Sequence, residues 1–558
     1  MTLTQMPLDE NLVTLLRTAN IVSDGALETL REQSHGDQAQ FERLLVEEGH
    51  VTSAQLGMAI AQEHGWRAVD LAKEVIPDNA SSLLPEPFAL HHTVVVFRVA
   101  DGQVDVATIH PDDAPLLRAL RKKFGRDVRT SYATSSVITD AIRRMYDRTT
   151  NDRIRNAIAP DLLKDENSAV ELFDALLLHA ARQHASDIHI EPNAENVLVR
   201  ERVDGMLHTV TTFSRAVHER MAQRIKVLAN LASDEHAVCQ DGKFTVQNLD
   251  GKRADVRVSI VPTTHGEDFV LRLLISERQA MPLDSLGFDA EQRAVVEEEI
   301  QKSWGMILVT GPTGSGKTTS LYATVLKIQR EEISIASIED PVEYDLPGTN
   351  QIQVHEKIGV TFATGLRSLV RHDPNIILVG EIRDPDTAGI AVNAALTGHL
   401  VLSTLHTNDA AGAIPRLCDM GIEPFLLSST VNIVIAQRLV RTICARCKES
   451  YEVRVADLPK VLTPAAVSAL VGKGDSVRLF RGKGCPLCNH TGFRGRTGIF
   501  ELLRVTNPIR ALVMKRADAD TIRTQAIDDG METMIEDGLQ KAKEGVTTIE
   551  EVLRVIRQ

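Results

Sequence analysis

Three patterns in this 558-residue chain have residue types and spacing suited to chemistry. The first is Gly311-Pro312-Thr313-Gly314-Ser315-Gly316-Lys317-Thr318, with Thr319 next, a full match to GxxxxGK[ST]. Its glycines let successive backbone N–H groups turn toward one anion, and a helix starting there adds its positive end. Lys317 then reaches the β- and γ-phosphates of a nucleoside triphosphate, and the Thr318 hydroxyl holds Mg²⁺. The second pattern is a set of polar groups at the ends of apolar runs. Ile376-Ile377-Leu378-Val379 stops at Gly380-Glu381, which sets an anion beside the metal and its water. Glu339, Asp340 and Glu343 follow the run 334–338, and His406 follows Leu400-Val401-Leu402. Such groups can orient water or sense a γ-phosphate; a polar turn before Pro341 and a structural histidine are the plainer alternatives. The third pattern is Cys444-Ala-Arg-Cys447 and Cys485-Pro-Leu-Cys488. Two CxxC turns offer four thiolates to one tetrahedral zinc ion, and a redox pair is the lesser alternative.

These patterns need elements to hold them. The run 306–310 before the glycine loop reads as a buried strand and 319–328 as a helix, the context that a phosphate loop requires. From about 303 onward strands and helices alternate, as in a parallel α/β sheet. Upstream, a helix over 168–184 leads to strand patterns at 187–190, 197–203, 255–261 and 269–274. Residues 1–75 read as short helices with a weak internal repeat, 93–98 and 103–109 as two strands around Asp101-Gly102, and 111–146 as helix. The polar stretch 147–166 reads as a linker. The apolar segment 425–436 is too short to span a bilayer and reads as a buried helix. The span 448–484 between the cysteine pairs must fold back to unite them, and 505–558 reads as helical. Cys239 and Cys418 have no partners by spacing and are expected as small core residues, and His490 as an exposed loop residue. This divides the chain into 1–148, a linker 149–166, 167–280, 281–440, a tetracysteine element 441–504 and a helical region 505–558.

Composition narrows the function. The chain holds 62 Lys and Arg against 76 Asp and Glu, a net charge of −14, so a broadly basic duplex-binding surface is excluded. With no Lys/Arg-rich aromatic channel either, no nucleic-acid partner is expected. The start, MTLTQMPLDE, has neither the basic nor the apolar region of a signal peptide, and no apolar run is long enough for a membrane span, so a cytoplasmic location is expected.

Taken in order, the motifs resemble those of the ATPases of type II secretion and type IV pilus assembly. The residues that carry the resemblance are Gly311–Thr319 as above, Ile338-Glu339-Asp340-Pro341-Val342-Glu343-Tyr344, Val379-Gly380-Glu381-Ile382-Arg383-Asp384, and Gly398-His399 through His406-Thr407-Asn408. Ala185-Ser186-Asp187-Ile188-His189-Ile190-Glu191-Pro192, Val203-Asp204-Gly205 and Arg257 through Arg272 resemble the N-terminal ATPase subdomain of the same family. The resemblance implies an α/β multidomain chain: a P-loop (RecA-like) core, a PAS-like α+β subdomain, an additional N-terminal α/β domain and a zinc-binding C-terminal insertion. It implies Glu339 as base or water-orienting group and Glu381 as the Walker B carboxylate. His399 and His406 would form a histidine box that couples nucleotide state to the neighbouring subdomain, and Arg257 and Arg272 would be arginines presented to the phosphates. ATP, Mg²⁺ and Zn²⁺ are the implied ligands. A homohexamer driving assembly of a pilus or pseudopilus through an inner-membrane platform and cytoplasmic docking proteins is the implied assembly. The tail and residues 419–425 lean toward type II secretion, with type IV pilus extension as the alternative. His372, Asn375 and the stretch 234–242 depart from the family pattern without touching Lys317, Glu339 or Glu381. Some family members read cyclic di-GMP with a repeated Arg-Leu-Gly motif. The corresponding stretches here, 12–16 and 41–45, lack its glycine, which argues against cyclic di-GMP binding and for a docking role.

Overall fold

The structure is a computed structural model. It describes residues 13–557 except 15, 18–21, 23, 35–40, 42–44, 46–50, 52, 72, 75, 78–79, 101, 159–166, 250–251, 276–280, 459–466, 468–469 and 472–473. Half of the positions compared with cyclic di-GMP motifs, 12, 15 and 42–44, therefore lie outside the described residues. The chain divides into two compact units: Met1–Val203 with Leu207–Leu273, and Asp204–Met206 with Leu274–Gln558.

The first unit opens with helices, among them Asp24–Gln33 and Ser53–His64. Strands β1 (Val94–Ala100), β2 (Gln103–Thr108) and β3 (Asp127–Tyr132) form a three-stranded sheet, β1–β2 antiparallel around the expected turn and β2–β3 parallel. The strand β3 interrupts the helix expected over 111–146. Ala114–Phe124 is capped by Asp113 and stopped by Gly125, and helix resumes at Ser135. That second helix runs to Ile158, so 149–158, expected as linker, is helical; 159–166 lies outside the described residues. Ile154 on this polar stretch is buried, an apolar anchor too isolated to show as a period in the sequence.

Helix Asn167–Arg182 precedes a six-stranded sheet in this unit. It is built from β4 (Asp187–Pro192), β5 (Val197–Val203), β6 (Met206–Phe213), β7 (Gln240–Leu249), β8 (Lys252–Thr263) and β9 (Gly266–Ile275), in the order β6-β5-β4-β9-β8-β7. The four strands expected from sequence are there. β6 and β7 were not legible, because Thr-, Gln- and His-containing stretches alternate too weakly.

The second unit is built on a seven-stranded sheet. In chain order its strands are β10 (Gly305–Thr310), β11 (Ile335–Glu339), β12 (Thr349–Gln353), β13 (Ile376–Val379), β14 (Leu400–Leu405) and β15 (Val431–Ile443). A hairpin of β16 (Lys448–Arg454) and β17 (Ser476–Gly482) precedes the last, β18 (Phe493–Arg504). The spatial order is β12-β11-β13-β14-β10-β15-β18, all parallel except the β15–β18 pair. β10, β13 and β14 are buried at every position, the continuous apolar run expected of a parallel sheet covered on both faces. Alternation splits that run between two cores. Met306, Leu308, Ile377, Val379 and Val401 face one, and Ile307, Val309, Ile376, Leu378 and Leu402 the other. Each such side chain contributes roughly 1.5–3 kcal/mol by leaving water, enough to hold the strand ends that carry the polar groups.

The segment 425–436 is not one helix. Pro424–Thr430 is helical, and β15 begins at Val431, where Val431, Ile433, Val434 and Ile435 bring β-branched side chains that suit a strand. Helices Asn507–Met514, Ala519–Asp528, Met534–Lys543 and Ile549–Ile556 form the expected helical tail. Among the described residues, no helix is long and apolar enough to cross a membrane.

Candidate functional site: a phosphate loop and its strand-end carboxylates

The carboxyl ends of β11, β13, β14 and β10 lie side by side, so Glu339, Gly380-Glu381, His406 and the glycine loop gather along one sheet edge. That edge is where open α/β sheets bind ligands. Gly311 starts the loop with φ 144°, and a Cβ there would meet the Gln437 carbonyl at 2.5 Å and Ser315 Oγ at 2.7 Å. Only glycine fits. Helix Lys317–Ile328 follows directly, aiming its first N–H groups at the loop's hollow. Thr318 is exposed in that first turn, open to a metal.

A second strand clamps the loop. Gln437 of β15 donates through Nε2 to the Ser315 carbonyl at 2.6 Å and accepts at Oε1 from Ser320 Oγ at 2.7 Å. Sequence reasoning missed Gln437, since a polar residue inside an apolar strand is the only local signal of it. Lys317 folds over its own loop, donating to the carbonyls of Gly311 at 2.8 Å and Pro312 at 3.0 Å. Burial lowers its pKa and Arg438 pushes the same way, while Glu381 opposes both. Ser315 Oγ is buried and has no hydrogen-bond partner. An orphan hydroxyl and a half-buried ammonium resting on weak carbonyl partners are the features a phosphate would satisfy.

Backbone bonds between strand ends set Glu381. Gly380 donates to Ile338 O at 2.8 Å, Thr404 Oγ1 to Gly380 O at 2.8 Å, and Ile382 to Thr404 O at 3.0 Å. The Glu381 carboxylate is 13% exposed and meets Arg383 Nε at 2.5 Å and His406 Nε2 at 3.3 Å. The structure thus brings Lys317, Glu381 and His406 to one place, and it adds Arg383. Glu339 sits differently. It is buried at the end of β11 and accepts from the Tyr322 hydroxyl, from Ser337 Oγ at 2.5 Å and from Gln351 Nε2 at 3.1 Å. Burial, then this carboxylate, raise the Tyr322 pKa, so the phenol stays a donor. These donors hold the Glu339 carboxylate inward, beneath the strand ends. Asp340 and Glu343 are exposed.

One expected group of the same unit, His399, is not gathered there. His399 stands at the opposite end of β14 from His406, and its Nδ1 lies 2.9 Å from the Ala394 carbonyl at the close of helix Pro385–Leu396. Arg257 and Arg272 belong to the first unit. Arg257 pairs with Lys243 across β8 and β7, and Arg272 donates through Nε to Asp187 Oδ1 at 2.9 Å.

The four cysteines converge. Hairpin β16–β17 returns the chain from Lys448 to Gly482, opposite each other, and so closes the gap between the pairs. Gly492 (φ 80°) lets the chain after the second turn press against the end of β17, where a Cβ would lie 2.6 Å from the Gly482 carbonyl. Sulfur–sulfur distances are 3.8 Å for Cys444–Cys485, 3.9 Å for Cys447–Cys488 and 3.7 Å for Cys485–Cys488. Zinc–sulfur bonds of ~2.3 Å make a tetrahedron with ~3.8 Å edges, whereas a disulfide needs ~2.05 Å. Burial pushes the Cys444 thiol up and the Cys447 thiol to about 12, whereas at Cys488 burial is outweighed by the N–H groups of Cys485 and Gly492 at 3.2 and 3.3 Å together with the neighbouring thiols, which hold it at about 7. The donor set fits zinc. His490 is exposed, as expected; Cys239 is also exposed, not a core residue, because its strand-approach loop faces solvent, and Cys418 is half-buried.

Phosphate loop, flanking carboxylate and parallel sheet define a P-loop nucleoside triphosphatase. Residues 163–554 match the model of the type II/IV secretion system protein family, and the chain belongs to that family. Residues 62–152 match the MshEN domain. The chain is 36% identical to the type IV pilus assembly ATPase PilB of Myxococcus xanthus over 97% of both chains. It is 45% identical to the type II secretion system ATPase E of Vibrio cholerae over 71% of this chain and 78% of that one. The ATPase DotB of Legionella pneumophila shares the RecA-like fold, with TM-score 0.51 and 20% identity over 69% of this chain and 95% of that one. The chain is an ATP-hydrolysing enzyme of the secretion and pilus-assembly class.

Proposed function

We propose that the chain is the hexameric motor that powers assembly of a pseudopilus for type II secretion. The observation that carries the reading is the meeting of Lys317, Glu381 and His406 beside the phosphate loop. Lys317 exchanges two carbonyls for phosphate oxygens, and loop N–H groups and Ser315 Oγ complete the cradle. Thr318 would hold a magnesium ion, which would supply neutralising charge to the phosphates. Glu381 orients the attacking water, His406 reports whether a γ-phosphate is present, and Glu339 takes the water's proton once its side chain swings free of Tyr322. Arg257 and Arg272 stabilise the transferring phosphoryl group from the N-terminal ATPase subdomain, 167–280. Cys444, Cys447, Cys485 and Cys488 would hold a zinc ion, which would pin the insertion 441–504.

The acting location is the cytoplasmic face of the inner membrane, reached through platform and docking proteins. The N-terminal domain, 1–148, docks the motor there. The match of residues 62–152 to the MshEN domain does not decide between docking and cyclic di-GMP binding. A second reading, extension of a type IV pilus, is favoured by the Myxococcus relative, which aligns with 97% of the chain. The higher identity to the Vibrio secretion ATPase supports the first. Deletion of the gene tests the choice: loss of secreted enzymes with surface pili intact supports secretion, and the reverse supports pilus extension.

Single-stranded DNA should leave the ATPase rate unchanged. Phosphate release measured with and without oligonucleotide checks this, and strong stimulation would point to a nucleic-acid translocase instead.

A further inference from the structure

The segment that begins at His406 continues past the nucleotide loop. It turns at Asp409, whose Oδ1 accepts from the Gly412 N–H at 2.7 Å and whose Oδ2 accepts from the Arg523 guanidinium at 2.6 Å. The Asp409 carbonyl accepts from Thr407 Oγ1 at 2.9 Å and, more weakly, from Thr310 Oγ1 at 3.5 Å. Thr310 is the last residue of β10 and directly precedes Gly311. The next residue, Ala410, donates its N–H to the buried Glu501 of β18 at 3.1 Å. One short segment therefore touches Glu381 through His406, the base of the phosphate loop through Thr310, and helix Ala519–Asp528 through Arg523.

The Arg523 and Asp409 side chains are 39% and 31% exposed, so their pair adds little to stability. Its geometry matters more. Oδ1 closes the turn and Oδ2 ties it to helix Ala519–Asp528 through Arg523, while Ala410 N–H on Glu501 ties it to β18. Losing Arg523 removes the tie to helix Ala519–Asp528 and leaves the turn held by Glu501 and Thr310 alone, which loosens the support of His406 three residues upstream. We propose that Arg523 is a positioning residue for ATP hydrolysis: through Asp409 it holds His406 against Glu381. It thereby links the state of the nucleotide site to the C-terminal helices, a lever of the kind that two discrete loop arrangements permit. This rests on the reading of Glu381 and His406 given above.

The test is steady-state kinetics of the full chain with Mg²⁺ and ATP, plus nucleotide Kd, for Arg523→Ala, Arg523→Lys, His406→Ala and the double variant Arg523→Ala/His406→Ala. Arg523→Ala should lower kcat about fivefold with KM and Kd nearly unchanged. Arg523→Lys should recover most of the rate, because it restores a cation at Asp409. The double variant should be no slower than His406→Ala alone, since both act through one contact. Should Arg523→Ala fail to fold, Asp409→Asn, which keeps the Gly412 bond, carries the same expectation. A slow His406→Ala beside an Arg523→Ala of full rate overturns the inference and leaves the reading of His406 standing. So does an additive double variant, or a loss of kcat matched by equal loss of nucleotide binding. A His406→Ala of full rate overturns the reading of His406, and the inference with it.

Discussion

Lys317→Ala loses ATP hydrolysis by about two to three orders of magnitude in kcat/KM, the scale seen when a preorganised donor to developing charge is removed. The ammonium rests on the carbonyls of Gly311 and Pro312, partners weaker than a phosphate, and burial makes its charge costly where it is. Its charge is therefore stored for the substrate. Two consequences separate this from general damage. The unfolding midpoint should hold or rise slightly, because a partly buried charge with compromised solvation is gone. Arg at the same position should not restore activity, because a planar fork cannot lie across the two carbonyls as the compact ammonium does. Phosphate release and thermal unfolding measured on the same preparations check both.

The second large effect concerns the cysteines. Purified chain should carry one zinc per protomer, and Cys447→Ser or Cys485→Ser should bring it near zero. Structural zinc contributes about 10–16 kcal/mol in small domains, so its loss here should unfold the insertion locally. The Gly482–Gly492 approach sits beside the four sulfurs, and hairpin β16–β17 packs Val477 and Leu479 on Leu539 and Ile549 in a small cluster of its own, whereas β10 and the phosphate loop sit in separate, larger cores. Backbone amides of β16 and β17 should therefore lose hydrogen-exchange protection while β10 keeps it. Metal analysis and exchange measured together check this. Zinc-free wild-type protein, or variants that retain a full equivalent, would remove the site.

Local patterns were legible to the extent that their chemistry is local. The phosphate loop follows from eight consecutive residues, and it lies between strand and helix as expected. The cysteine pairs converge because each CxxC turn is self-contained and the hairpin between them only has to return. What was not legible depends on distant partners. Gln437 clamps Ser315 from another strand, and nothing near either residue announces it. Glu339 and Glu381 look alike as strand-end carboxylates, yet Tyr322, Ser337 and Gln351 draw the first inward while Arg383 and His406 keep the second at the loop. Segment 425–436 is uniformly apolar, and periodicity cannot tell a buried helix from a buried strand. Its β-branched half was the better guide. His399 and His406 share a motif but a strand separates them, so one caps a helix and the other meets the carboxylate.

Steady-state phosphate release from the purified chain with Mg²⁺ and ATP, beside Glu381→Gln and Glu339→Gln, tests the central claim most directly. The account predicts turnover by the unmodified chain. It also predicts at least about a hundredfold slowing in Glu381→Gln and a marked slowing in Glu339→Gln, with nucleotide still bound by both. Phosphate release undiminished in both variants would contradict it.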